Sequence, residues 1–204
     1  MRPDTMFDDG RGPGSDAIPD TVLWRRIDTE GHDSCRIDRI EDGYRLTGMA
    51  VWTESSGAAA LRYRVECGPD WRTRSADVEG FHAGSPLNLK IRTDGQGRWR
   101  KNDILQKAVE GMADLDLGFT PATNIFPIRR LAVRPGRLVP APAAWLDIAD
   151  RSLKILEQTY RRIDAENLSY TAPLFDYEAD LTTRPSGLIR SYPGLWLEVD
   201  SLRP

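Results

Sequence analysis

Cysteine and histidine are scarce in this 204-residue chain, which contains two of each. Cys35 and Cys67 are expected to be reduced, buried thiols on strands, with a bridge between neighbouring strands as the alternative. His32 and His82 stand beside turn signals and next to no nucleophile motif, so we expect exposed loop side chains. No grouping of histidine and carboxylate has the spacing of a metal site, and no bound metal is expected.

Long apolar runs and cofactor motifs are missing as well. No stretch approaches the ~18 apolar residues of a membrane span. The N-terminal Met1–Asp4 is not followed by the apolar segment of a signal peptide, so a cytoplasmic protein is expected. There is no G-x-G-x-x-G, phosphate loop or C-x-x-C, which argues against a nucleotide-dependent enzyme. We therefore expect no cofactor.

Lysine is also rare, since only four of the 28 basic residues are lysine. This arginine excess is typical of G+C-rich bacterial coding. The net charge of −3 provides no overall basic field. Binding to nucleic acid or to anionic lipid is therefore not expected from composition.

Alternation of apolar and polar residues dominates the chain after a tail at residues 1–20 that is rich in Asp, Gly and Pro. We expect the tail to be flexible and residues 21–201 to form one mainly β domain. Glu157–Arg162 also fits a helix. The predicted strands are Val22–Trp24, Ser34–Ile40, Tyr44–Trp52, Leu61–Cys67, Trp71–Asp77, Pro86–Arg92, Arg98–Arg100, Leu138–Ile148, Arg151–Ile163, Phe175–Leu181, Leu188–Ser191 and Leu195–Val199.

The clearest hairpin turns at Gly68-Pro69-Asp70. We predict that Cys67 lies opposite Trp71 and that Val65 lies opposite Thr73. The inward face then carries Tyr63, Val65, Trp71 and Thr73. The outward, solvated face carries Arg62, Arg64, Glu66, Arg72 and Arg74.

Residues 114–130 change character twice. Asp114 and Asp116 alternate with leucine as on a strand, and Gly118 interrupts this pattern. Thr120-Pro121 then begins a short helix, with Thr as N-cap and Pro at the first helical position. The two carboxylates share a strand face about 7 Å apart. They could serve acid–base chemistry or each meet an arginine of a neighbouring strand.

Two dipeptides recur at an offset of 116, Tyr44-Arg45 as Tyr160-Arg161 and Arg74-Ser75 as Arg190-Ser191. Such a repeat predicts two similar halves, packed as two meanders in one curved sheet.

Several motifs resemble a bacterial family known as putative glycolipid-binding proteins. They are Leu23–Arg26 with Gly31–Cys35, Leu61–Cys67 with Trp71–Ser75, Asp114–Asn124, and Tyr192–Trp196. The resemblance covers about residues 21–199. It implies a strongly curved antiparallel sheet or half-barrel similar to periplasmic lipoprotein carriers, and no known reaction.

The expected function is binding of a small amphipathic molecule, in the family's terms a lipid or glycolipid, in a concave sheet pocket. We expect it between Trp71 and Trp196, with its polar end at Asp114, Asp116, Asn124 and Tyr192. Thr73 and Arg74 complete the candidate site. The alternative is a cofactor-independent cyclase, isomerase or hydrolase of a hydrophobic metabolite, with Asp114, Asp116 or Tyr192 as acid–base group.

Overall fold

The computed structural model describes residues 17–132 and 135–199. Most of the predicted tail and residues 200–201 of the predicted domain lie outside the described residues. The end of the tail is structured, because Ile18 is buried and Asp20 begins the first strand. None of the helices in the described ranges has the length and apolarity to cross a membrane.

The described residues form seventeen strands and one short α-helix, α1 (Ile125–Arg130), together with 3-10 turns. The strands are β1 (Asp20–Arg26), β2 (Gly31–Ile40), β3 (Gly43–Glu54), β4 (Gly57–Cys67), β5 (Thr73–His82), β6 (Ser85–Thr93), β7 (Trp99–Lys101), β8 (Ile104–Leu105), β9 (Asp114–Asp116), β10 (Leu138–Pro140), β11 (Ala143–Asp147), β12 (Ser152–Leu156), β13 (Thr159–Arg162), β14 (Asn167–Ala172), β15 (Tyr177–Thr183), β16 (Ile189–Tyr192) and β17 (Trp196–Glu198).

Fourteen strands form one antiparallel sheet in the order β10-β13-β14-β15-β16-β17-β1-β2-β3-β4-β5-β6-β7-β8. Pairing of β1 with β17 joins the start of the domain to its end. The edge strands β8 and β10 do not pair with each other within the described residues, so the sheet stays open. The mainly β, half-barrel-like single domain expected from the sequence is confirmed.

A second sheet of three strands, β12-β11-β9, packs against the first, with β9 parallel to β11. It is tied to β5, because the Leu115 amide donates to Thr73 Oγ1 at 3.1 Å. The segment that follows β9 packs on the inner face of the large sheet. Phe119 stacks on Trp52 of β3 at 5.8 Å and meets Tyr63 of β4 edge-on at 5.9 Å.

The strand–turn–helix order predicted for residues 114–130 is confirmed. Gly118 has φ of 65°, and an added Cβ would collide with the Trp145 indole, so only glycine fits this corner. Thr120 Oγ1 accepts from the Ala122 amide at 3.0 Å and begins the 3-10 turn Pro121–Asn124, which continues into α1. This segment packs on the inner face of the large sheet, where the sequence predicted a concave pocket for the ligand.

The hairpin faces are as predicted, but the register is wrong. Cys67 lies opposite Thr73, and Val65 opposite Ala76, with a bulge at Glu66/Cys67. The turn is longer than expected, because the Gly68 amide donates to Arg72 O at 3.0 Å. The bulge reverses the alternation, so Ala76 rather than Ser75 is buried.

Other corrections concern pairing between distant strands. Residues 138–148 split into β10 and β11, and residues 151–163 into β12 and β13, because each pair divides between the two sheets. The helical alternative for Glu157–Arg162 is wrong, and β14 was not predicted.

Both cysteines are buried and free. His82 is buried on β5 rather than exposed, with Nε2 2.6 Å from Glu54 Oε1. The halves predicted from the repeat stay a prediction.

Candidate functional site

The eight candidate residues do not form one site. Trp71 lies where β5 begins and stacks on Tyr44 with ring centroids 3.9 Å apart. The Arg129 guanidinium covers the Trp71 ring at 5.1 Å. Thr73 is buried, and its hydroxyl oxygen accepts a hydrogen bond from the Leu115 amide. Arg74 is exposed and binds Asp42 on the surface at 2.6 Å, so it points away from these groups.

Asp114 is a buried structural anion. Arg130 binds both of its oxygens, with Nη2 2.6 Å from Oδ2 and Nε 3.0 Å from Oδ1. Burial raises the pKa of Asp114, although Arg130 opposes the shift. The expected arginine partner is therefore present, but it comes from the end of α1 rather than from a neighbouring strand.

Trp196 and Trp71 lie near opposite ends of strand β3. The Arg26 guanidinium sits between Trp196 and Trp52, 5.4 and 5.5 Å from their ring centroids. Trp52 is eight residues along β3 from Tyr44, the partner of Trp71, and this separation corresponds to about 26 Å. The structure therefore does not bring Trp71 and Trp196 together, and a ligand between them stays a prediction.

Three of the candidates do meet, in what we call the tyrosine cluster: Asp116, Asn124, Gln158, Tyr160, Tyr170, Tyr177 and Tyr192. The Asn124 amide donates to Tyr160 Oη at 2.8 Å. Tyr170 Oη donates to Gln158 Oε1 at 2.9 Å. The Tyr170 ring lies 5.6 Å from Tyr192, which in turn lies 5.4 Å from Tyr177.

Sheet pairing explains why these rings converge. Tyr160 of β13 and Tyr170 of β14 are directly opposite partners with rings 5.0 Å apart. Tyr177 begins β15 and Tyr192 ends β16, and both approach the Tyr170 ring. Antiparallel neighbours place such side chains on one face of the sheet.

Asp116 supplies the charge of the cluster. Its Oδ1 accepts from the Gly118 amide at 2.7 Å. Burial raises the pKa of Asp116 to about 6, with the Asp114 charge acting in the same direction. Burial first, and then nearby charges that include Asp116, raise the pKa values of Tyr160, Tyr170 and Tyr192. The Asp116 charge therefore acts on three phenols of the cluster. Among the described residues, no basic side chain is found bonded to it.

The cluster has an apolar rim at the surface. Trp145 packs against Gly118 and meets the ring of Phe175 edge-on at 5.2 Å. Phe175 and Leu174 are exposed, while Trp145 and Tyr177 are half-buried. Polar groups therefore lie at the base and hydrophobic side chains at the edge.

Sequence reasoning missed Gln158, Tyr160, Tyr170 and Tyr177 as members of the site. Tyr160 and Gln158 lay in the segment with the helical alternative, and Tyr170 lay on the strand that was not predicted. The available signal was the number of tyrosines after residue 159, namely Tyr160, Tyr170, Tyr177 and Tyr192.

Comparison with known proteins agrees with this architecture. A solved structure of a DUF1089 family protein from Pseudomonas aeruginosa is similar, with a TM-score of 0.73 and 25% identity over 98% of this chain and 100% of that one. None of the curated proteins matches the chain significantly. The family described as "Putative glycolipid-binding" matches residues 21–198. The chain therefore belongs to this family.

Proposed function

We propose that the protein binds a small amphipathic molecule, a lipid or glycolipid, at the tyrosine cluster. One observation carries the proposal. Asp116 is a half-buried carboxylate whose charge acts on three phenols of the cluster, and it lacks a bonded cation within the described residues. A buried charge without such a partner is costly, and hydroxyl groups of a ligand would lower that cost.

The polar end of the ligand is best matched by a headgroup rich in hydroxyls. Asp116 accepts hydrogen bonds, while Gln158 and the phenols can both donate and accept. Trp145, Phe175 and Leu174 offer the adjoining apolar surface for a hydrocarbon chain. An anionic headgroup would be repelled by Asp116.

An alkyl glucoside tests the site, with binding followed by tryptophan fluorescence, since Trp145 lies on the rim. Asp116→Ala and Tyr192→Phe should each weaken binding about tenfold through lost hydrogen bonds. Asp103→Asn, at an exposed carboxylate, is the matched control. Trp71→Phe should leave binding unchanged, because Trp71 packs against Tyr44 and Arg129 rather than against a residue of the tyrosine cluster.

Equal affinity in wild type, Asp116→Ala and Tyr192→Phe would contradict the site. Failure of alkyl glucosides, glycolipids and single-chain lipids all to bind would contradict the function itself.

The pKa of about 6 also favours a second candidate, an enzyme that uses Asp116 as its acid or base. Asp116→Asn separates the two. A binder should retain most of its affinity, because the amide oxygen still accepts hydrogen bonds. An enzyme should bind its substrate but lose turnover.

A further inference from the structure

Exposed hydrophobic side chains gather on the outer face of the large sheet. Six of the fourteen large hydrophobic residues exposed in the described ranges lie there, each 38–52% exposed. They are Leu23, Met49, Val51, Phe81, Leu197 and Val199. Scattered exposure is normal, but a contiguous patch usually marks an interaction surface.

The strand register places five of the six in two neighbouring rows, where polar and charged side chains stand between them. The first row crosses six adjacent strands, since each residue is the direct partner of the next: Leu197, Arg25, His32, Val51, Ala60 and Phe81. The neighbouring row runs through Leu23, Ser34, Met49, Arg62 and Glu79. With strands about 4.8 Å apart, the first row spans roughly 24 Å. We call these two rows the apolar rows.

Basic side chains lie in and beside the apolar rows. The next row outward runs through Arg36, Thr47, Arg64, Asp77 and Lys90. The three rows together carry five basic residues and two acidic ones, a local charge of +3 on a chain whose net charge is −3. The composition predicts no overall basic field, but the fold brings more basic than acidic residues together on this face.

We propose that the apolar rows dock the protein on an anionic lipid bilayer. Hydrophobic side chains would enter the headgroup boundary, while the long arginine and lysine side chains meet the lipid phosphates. A symmetric dimer through the same face would set two +3 surfaces against each other, so a second copy fits less well. The proposal is independent of the tyrosine cluster.

Flotation with vesicles tests it. Wild type should float with phosphatidylcholine vesicles containing phosphatidylglycerol, and less with pure phosphatidylcholine or at high salt. Val51→Thr with Phe81→Ser should reduce the bound fraction at least tenfold. Arg25→Gln with Arg64→Gln should remove the preference for phosphatidylglycerol. Leu138→Thr with Ile163→Thr, at exposed positions elsewhere, should bind like wild type.

Circular dichroism and thermal melts confirm that each variant is folded. Absence of wild-type flotation, or equal flotation of the Val51/Phe81 and Leu138/Ile163 variants, would overturn the proposal. A dimer in sedimentation velocity that Val51→Thr with Phe81→Ser dissolves would also overturn it, because the occupant would then be a second copy.

Discussion

At the scale of single residues, Asp33 is the least expected feature. It lies fully buried on β2, where Tyr63 Oη donates to its Oδ2 at 2.9 Å and the Thr120 hydroxyl donates to the same atom. Its Oδ1 is buried, and no hydrogen bond to it is found among the described residues. Burial outweighs both donors and raises the pKa of Asp33 to about 6. The core therefore favours the neutral acid.

We expect Asp33 to make stability depend on pH. The pKa of Asp33 rises from 3.8 to about 6 on folding. The stabilisation that the protonated side chain gives the folded state is therefore fully present below about pH 4 and is lost as pH rises through 6. The loss is about 3 kcal/mol of unfolding free energy. Urea denaturation of wild type and Asp33→Asn between pH 4 and 7 measures it.

The difference between the two proteins isolates Asp33, since Asp116 titrates in both. Parallel pH profiles for wild type and Asp33→Asn would show that the carboxyl group titrates normally.

At the scale of elements, the corner Gly118–Pro121 connects the two sheets. Thr120 begins the helical segment and also bonds Asp33 and Tyr63 of the large sheet. Phe119 fills the space between Trp52 and Tyr63. This short segment therefore caps the helical turn, fills part of the core and links the two sheets.

Loss of either side chain should destabilise the fold. Thr120→Ala should cost about 1–3 kcal/mol of unfolding free energy, because it removes a cap and a donor to a buried carboxyl group. Phe119→Ala should cost about 3–5 kcal/mol through the cavity it leaves. Urea denaturation midpoints measure both.

Thr120→Ser keeps the hydroxyl group and serves as the control, expected within about 1 kcal/mol of wild type. Midpoints for Thr120→Ala and Phe119→Ala that match wild type would show that this corner contributes little to stability.

At the scale of the whole molecule, the first and last strands of the described residues meet in the middle of the large sheet. β1 pairs with β17, and Arg184 from the loop after β15 bonds across this junction. Its Nη1 lies 2.7 Å from Asp20 Oδ1, its Nη2 bonds Glu198, and Ser186 Oγ donates to Asp20 Oδ2 at 2.7 Å. These charges are largely buried, unlike the ion pairs of the outer face.

Arg184→Gln should lower the free energy of unfolding by about 2 kcal/mol, because Asp20 and Glu198 lose their shared cation in a half-buried setting. Arg98→Gln, which breaks an exposed pair with Asp94, should cost under about 1 kcal/mol. Thermal or urea denaturation compares them. Equal effects of both changes would mean that the junction does not depend on Arg184.

Local pattern was sufficient for much of this fold. Two-residue alternation identified most strands and the inward face of the β4–β5 hairpin, because side chains on a strand must alternate between faces. Thr120-Pro121 marked a helix start, since the backbone preferences of these residues are intrinsic. The Asp114–Asn124 motif also helped to identify the family to which the chain belongs.

Only the tertiary structure decided which of these elements meet. The hairpin bulge, the division of residues 138–163 between two sheets and the burial of His82 depend on partners far away in sequence. The candidate site also depends on distant partners. Asn124 and Tyr192 contact phenols of β13–β15 and the Asp116 charge acts on them, whereas Trp71 and Trp196 lie near opposite ends of β3. Alternation specifies a face but not a neighbour, because pairing is determined by packing of the whole sheet.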